Sequence, residues 1–252
     1  MDLSKLAGDL QPVMRAAGDE ILRIYDLGPD ADFKEDGTPV CAADRAADRI
    51  ILAALADLAP DIAVVSEENA ASHAMTPPER FFLVDPLDGT KEFLKRDGKG
   101  AYTVNIALIE HGAPIMGLVY APALDRLFVG VVGEGAQEIA GGSTTAITCR
   151  SRPASPVAVA SASHRDPQTD QWLADNRIAK TISIGSSLKF CLVAAGEADL
   201  YPRFGPTMEW DTAAGDAVLR AAGGQVTNPD GSLMVYGKAD YRNGAFIASG
   251  AA

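Results

Sequence analysis

Carboxylates stand where this chain changes direction. The stretch FFLVDPLDGTKEF, residues 81–93, ends an apolar run in Asp85 and Asp88, with Pro86 and Leu87 between them. FFLV is apolar at every position, so it predicts a strand covered on both faces, with Asp85 just past its end. Such strand ends are where α/β proteins hold ligands. Pro86 fixes its own φ and stiffens the turn. Asp88-Gly89 reads as a tight turn, because glycine adopts positive φ without strain. Thr90 is expected to cap a helix beginning at KEFLK. The backbone N–H groups of Gly89 and Thr90 would then face outward at a helix N-terminus, an arrangement that cradles phosphate.

The same placement recurs elsewhere. Glu67 and Glu68 end the run IAVV, Asp211 follows Trp210 where a helix begins, and Asp44 opens the helix after TPVCAA. Taken singly, each acid has a plainer explanation. DPLDG could be a polar turn, Asp211 an N-cap, Asp44 a surface partner of Arg45 or Arg49, and Glu68 a solvated neighbour of Glu67 or an acid that supports the ligands from behind. Asp216, inside the last helix, reads as structural. Taken together, four segments present acids at element ends, where side chains can converge. Converging carboxylates repel, and protonating them instead costs ~1.4 kcal/mol for every tenfold change in proton affinity. Divalent cations remove that cost. Oxygen-rich clusters completed by water and substrate phosphate suit Mg²⁺. Two such ions can activate water, hold a phosphate and stabilise a leaving oxygen.

The elements that must position these acids are legible from periodicity. Apolar residues at Leu3, Leu6, Leu10, Val13, Met14, Ala17, Ile21 and Ile24 predict an amphipathic first helix. A second helix is expected from about Ala42 to Leu58, closed by Pro60. IAVV and FFLVD read as strands and SHAMTPPER as a loop. YTVNIALIE, PIMGLVYAP and RLFVGVVG predict an antiparallel meander. The small, polar stretch GGSTTAITCRSRPASP is the expected boundary between subdomains 1–150 and 151–252, with a surface hairpin as the plainer reading. Beyond it VAVAS, TISIG, ADLYP, QVTN and AFIAS read as strands. TDQWLADN, SSLKFCLVAAGE and WDTAAGDAVLRAAGG read as helices, an alternation typical of a layered α/β unit.

These residues resemble a known family. DPLDGT, WDTAAG and the SEE strand end look like the lithium-sensitive, magnesium-dependent phosphatase superfamily that includes inositol monophosphatase. GSSLKFCLVA and LYPRFGPT resemble its CysQ-type 3′(2′),5′-bisphosphate nucleotidase branch, and the resemblance spans nearly the whole chain. It implies a five-layered αβαβα sandwich. It implies Mg²⁺-dependent hydrolysis of the 3′-phosphate of adenosine 3′,5′-bisphosphate (PAP) to AMP by metal-activated water, with the sulfated nucleotide PAPS as a related substrate. Glu67, Asp85 and the Leu87 carbonyl match ligands of a first metal; Asp85, Asp88 and Asp211 match ligands of a second. Asp44 matches the acid that holds a third, looser metal. Thr90 matches the threonine that, with a nearby acid, orients the attacking water, and the Gly89 and Thr90 amides match the contacts to the phosphate being cleaved. Ser163, His164, Ser187, Lys189 and Arg203 fall in stretches that resemble the family's adenosine and 5′-phosphate contacts. One departure is Cys41, where the family has threonine; it bears on the looser metal site.

Composition narrows the partners. Acids outnumber bases 34 to 22, for a formal charge of −12, which argues against nucleic acid but leaves room for a small phosphorylated substrate, since bound divalent cations reverse the local sign of a carboxylate-rich pocket. Three scattered cysteines predict free thiols in the cytoplasm, and scattered Cys and His argue against zinc. The N-terminal stretch lacks the pattern of a signal peptide, no run reaches the ~20 apolar residues of a membrane span, and no basic or lipid anchor supports attachment to the inner face of the cell membrane. Oligomeric state is not readable. The rival readings are an inositol monophosphatase or related sugar-phosphate phosphatase, and a non-catalytic nucleotide- or metal-binding sensor.

Overall fold

The computed structural model describes residues 1–27, 31–33, 39–96, 98–161, 163 and 165–250, the strands at 31–33 and 39–41 through their backbone. Helix α1 (Leu3–Leu27) is followed by a two-stranded ribbon, β1 (Ala31–Phe33) and β2 (Pro39–Cys41), and by α2 (Ala42–Leu58). Strands β3 (Ala63–Ser66), β4 (Arg80–Asp88), β5 (Thr103–Glu110), β6 (Ala113–Ala121), β7 (Arg126–Val131), β8 (Gly135–Ala140) and β9 (Ser143–Ile147) form one seven-stranded sheet in sequence order. Only its β3–β4 pair is parallel; β4 to β9 is an antiparallel meander. The short helix α3 (Thr90–Lys95) lies between β4 and β5.

A second sheet takes β10 (Val157–Ser161), β11 (Lys180–Ile184), β12 (Leu200–Arg203), β14 (Gln225–Thr227) and β16 (Phe246–Ser249) in the order β11-β10-β12-β16-β14. The remaining helices are α4 (Pro167–Asp175), α5 (Leu188–Ala194) and α6 (Ala213–Ala221). A small ribbon pairs β13 (Thr207–Met208) with β15 (Arg242–Asn243).

Period-two alternation assigns the layers. Phe82 and Val84 of β4 join Val104, Ile106 and Leu118 against Leu10, Met14 and Ile21 of α1 and Ile51 of α2. Phe81 and Leu83 face the other way, into a core built from Phe190 of α5, Val218 of α6, and Val159, Tyr201 and Phe246 of the second sheet. Ala158 and Leu200 on that sheet's far face pack on Leu173 of α4. The order is therefore α1/α2, first sheet, α5/α6, second sheet, α4, the expected five-layered αβαβα sandwich. Every strand between helix layers must be apolar on both faces, and FFLV is.

The middle layer sits unusually close to the first sheet. A Cβ on Gly117 of β6 would lie 2.4 Å from the Ala214 carbonyl oxygen, and one on Gly130 of β7 would lie 2.6 Å from Val218 Cα. Both are sub-contact distances, so the absent side chains let α6 lie directly on the strands. That approach delivers the segment before α6 to the end of β4.

Several local expectations are corrected. Within GGSTTAITCRSRPASP, Ser143–Ile147 is β9 and pairs with β8 as a hairpin of the first sheet, while residues 148–156 link the two sheets, so the stretch holds both of its readings. SHAMTPPER is not wholly loop, since a 3₁₀ turn spans Ala70–Ala74. Asp85 lies within β4, which runs on to Asp88. Thr90 is the first residue of α3, and its cap is Gly89, at φ 93°, with no side-chain capping bond.

Candidate active site

The β4–β5 ladder pairs Asp85 with Asn105 and Asp88 with Thr103, three residues advancing on β4 against two on β5. One extra residue makes a bulge there, filled by Pro86 and Leu87. In an unbroken strand positions 85 and 88 would point to opposite faces. The bulge reverses that parity, and both acids line one cavity of about 650 Å³. Pro86 has no N–H to give the ladder, which is why a bulge tolerates it. Asp85 Oδ1 accepts the Leu87 N–H at 3.0 Å, and Thr90 Oγ1 donates to the Leu87 carbonyl at 3.3 Å.

The other predicted acids reach the same cavity from three further segments. Glu67 follows the end of β3, Asp44 sits in the first turn of α2, and Asp211 precedes α6. Ligand atoms of Glu67, Asp85 and Asp211 all lie within 4.8 Å of one another. Asp44 is buried and lines the cavity. Asp211 is not an N-cap, because Thr212 occupies that position and Asp211 Oδ2 accepts the Met208 N–H at 2.8 Å.

This arrangement is costly in the bare protein. Burial pushes Asp85 well above the usual carboxylate range, and the charges of Glu67, Asp88, Asp211 and Asp44 push the same way. Asp211 is raised by burial and then by Asp88 and Glu67. Asp88 is pushed up to about 6 by burial, with Lys189 and the Ser187 N–H pulling it back. Asp85 Oδ2 is buried and has no hydrogen-bond partner. Clustered, dehydrated carboxylates with an orphaned oxygen fit a hard divalent cation and oxygen ligands.

Lys189 and Arg203 bring positive charge to the same cavity. Lys189 in α5 is buried, and desolvation lowers its pKa to about 8. Its Nζ donates to the Ser186 carbonyl and lies 5.1 Å over the Tyr201 ring. Arg203 ends β12, and its guanidinium donates to the Gly205 and Pro206 carbonyls at 3.1 and 3.2 Å. Leu87, Gly89, Thr90, Lys189 and Arg203 all line the cavity. Ser187 lies behind the wall: its N–H donates to Asp88 Oδ2, and its hydroxyl meets Asn105 and Thr103. Ser163 is tied to Glu92 and Lys95 of α3. His164 and the Cys41 side chain lie outside the described residues.

Several cavity residues carry no signal in the sequence. His73, Glu92, Tyr201, Met208 and Trp210 line the cavity, as does Glu68, which stands beside Glu67 in the sequence. His73 has no informative spacing; only the fold brings it to the site. Trp210 could have been inferred, being adjacent to Asp211.

The profile of the inositol monophosphatase family matches residues 2–251. The chain belongs to that family. Its relatives include the 3′(2′),5′-bisphosphate nucleotidase CysQ of Salmonella typhimurium, 47% identical over 225 residues, or 88% of this chain and 90% of that one. The protein of the same name in Escherichia coli K12 is likewise 47% identical with the same coverage. The crystal structure of CysQ from Bacteroides thetaiotaomicron superposes with a TM-score of 0.85 at 38% identity, covering 98% of this chain and 97% of that one. The extragenic suppressor protein suhB of Bartonella henselae gives a TM-score of 0.78 at 27% identity, with coverages of 98% and 94%. Membership agrees with the geometry: the family is metal-dependent, and the acidic cluster is an oxygen-rich site of the right kind. Among the described residues no helix is long and apolar enough to cross a membrane.

Proposed function

We propose that the protein is a Mg²⁺-dependent 3′(2′),5′-bisphosphate nucleotidase that hydrolyses the 3′-phosphate of adenosine 3′,5′-bisphosphate to AMP and phosphate, and PAPS to APS. One observation carries the reading: carboxylates from separate segments converge within 4.8 Å in a cavity also lined by Lys189 and Arg203. A doubly phosphorylated nucleotide needs both halves, cations at the acidic floor for one phosphate and fixed positive charge for the other. The curated relatives named as this nucleotidase, nearly half identical over most of the chain, support the choice of substrate.

Glu67, Asp85 and the Leu87 carbonyl would hold one Mg²⁺, and Asp85, Asp88 and Asp211 a second; Asp44 would hold a third, looser one. Bound there, the ions would supply Lewis-acid polarisation and neutralise charge on the phosphoryl group. The protein's own part is positioning. Gly89 caps α3 and Thr90 is its first residue; their N–H groups, at a helix start that leaves such groups without internal partners, would bind the phosphate being cleaved. The Thr90 hydroxyl, fixed on the Leu87 carbonyl, would orient the attacking water together with the acid at Asp44. Attack is in line, and the 3′ oxygen leaves with a proton taken from water; no group of the chain becomes phosphorylated.

Lys189, with a pKa of about 8, stays protonated at neutral pH and would pair with the 5′-phosphate alongside Arg203. Ser163 and His164 would lie toward the adenosine, and Ser187 would act through its N–H to Asp88. In this reading residues 1–150 form a subdomain holding most metal ligands, and residues 151–252 complete the nucleotide side.

The test is phosphate release from adenosine 3′,5′-bisphosphate and from inositol 1-phosphate, side by side, with Mg²⁺ and with EDTA. Faster release from the nucleotide, abolished by EDTA, is expected. Faster release from inositol 1-phosphate would overturn the substrate, and EDTA-resistant release would overturn the metal.

A further inference from the structure

The Glu67 strand end and the Asp211 turn are far apart in sequence, and their acids repel each other. Something must hold them face to face before a cation arrives. The residue that spans the two is His73. Its Nε2 lies 2.8 Å from the carbonyl of Ser66, immediately before Glu67. A carbonyl only accepts, so Nε2 carries the proton in this bond. Its ring stacks on Trp210, immediately before Asp211, with centroids 4.7 Å apart and planes 21° apart.

Further contacts hold the clamp in place. The 3₁₀ turn bearing His73 folds back on its own strand, with the Ser66 N–H donating to Ser72 Oγ at 3.2 Å. Trp210, 5% exposed, also packs on Tyr241, whose hydroxyl donates to the Met75 carbonyl at 3.0 Å. The segment carrying His73 is thus anchored twice to the C-terminal half, once by ring stacking and once by a hydrogen bond.

We infer that His73 is a positioning residue that locks the Glu67 strand end to the Asp211 turn and so preorganises the acidic cluster for metal. Its hydrogen bond fixes where Glu67 leaves β3, and its stack fixes where Asp211 enters. This rests on the metal reading above. Outer partners of metal ligands act in this way by orienting the ligands that touch the ion.

Three variants test it: His73→Ala removes both contacts, His73→Phe keeps the stack and loses the bond, and His73→Gln keeps a donor and loses the stack. Mg²⁺ affinity is measured by calorimetry, well below each variant's melting temperature. His73→Ala is expected to weaken Mg²⁺ binding by roughly tenfold or more, with Phe and Gln each recovering part of it. At saturating Mg²⁺ kcat is expected to recover, so that the defect lies in metal demand. In a Trp172→Phe background Trp210 is the only tryptophan. Its emission is expected to change little with Mg²⁺ when His73 is present and clearly when it is alanine, as the loosened segment closes.

Equal Mg²⁺ affinity in the wild type and the folded variants would overturn the inference while leaving the nucleotidase reading intact. A wild type that binds no Mg²⁺ would overturn both. Should His73→Ala fail to fold, His73→Phe decides, because it preserves the packed ring.

Discussion

Two groups of buried acid in this molecule meet opposite fates. Asp216 in α6 is fully buried, and both of its oxygens are used: Arg220 donates to Oδ1 and Oδ2 at 2.7 and 3.0 Å, and the Tyr236 hydroxyl reaches Oδ2 at 3.0 Å. Burial still raises its pKa, with Arg220 opposing the rise. Asp85 is equally buried, yet its neighbours are other acids, and its Oδ2 has no partner. Asp216 is neutralised by a cation that the chain brings with it. The Asp85 group is assembled for cations that come from outside. Asp216 finds its counter-charge four residues on, on the same helix face, whereas the acids around Asp85 meet mainly one another.

That contrast is sharpest under substitution. Asp85→Asn is expected to lower Mg²⁺-dependent phosphate release by roughly a thousandfold, the scale of losing one principal electrostatic stabiliser. It should leave the metal-free protein as stable or more stable, because a desolvated charge has gone. Phosphate release and thermal melting in EDTA check both halves, and an active Asp85→Asn would break the contrast outright. Asp216→Ala should do the reverse. Stranding Arg220 should cost about 3–5 kcal/mol of stability, read by denaturant melting, while Mg²⁺ affinity of the folded fraction is unchanged.

Next in size is the pH dependence of metal-free stability. Asp88 has a folded pKa of about 6, against 3.8 for an ordinary aspartate. Between these values the native state binds more protons than the unfolded state, so stability falls as pH rises through the window. Asp85 and Asp211, also raised, deepen the fall. Melting temperature in EDTA should therefore drop between about pH 4 and 6, and stabilisation by Mg²⁺ should grow over the same interval. Mg²⁺ stabilisation that does not depend on pH there would remove these acids from the site. The smallest effect belongs to Ser187→Ala, which loses hydroxyl contacts to Asn105 and Thr103 but keeps the N–H to Asp88. About 1 kcal/mol of stability should be lost, with little change in turnover.

The layers are legible in the sequence because their cause is local. The unbroken apolar run FFLV, the apolar-rich YTVNIALIE, helical spacing in the first 24 residues and small residues in WDTAAGDAV each report burial that the neighbouring layers impose. The acids are legible at the level of position, since Asp44, Glu67, Asp85, Asp88 and Asp211 all reach the cavity. What escapes is orientation and company. The bulge that turns Asp85 and Asp88 to one face depends on pairing with β5, which a single strand does not display. Ser187 looks like a substrate contact because its stretch resembles one; its hydroxyl is engaged behind the wall instead. His73 has no pattern at all, because a histidine's role depends on the ring and carbonyl it meets.

Burial, the limits of most strands and helices, and the seating of carboxylates at element ends are all written in the order of residues, since hydrophobic periodicity and turn chemistry act over short distances along the chain. Which of those ends meet was settled by packing. Gly117 and Gly130 had to admit α6 onto the sheet, and β4 had to bulge against β5, before acids so far apart in the chain could share one cavity. Convergence of that kind is a property of packed surfaces, and no short window of residues contains it.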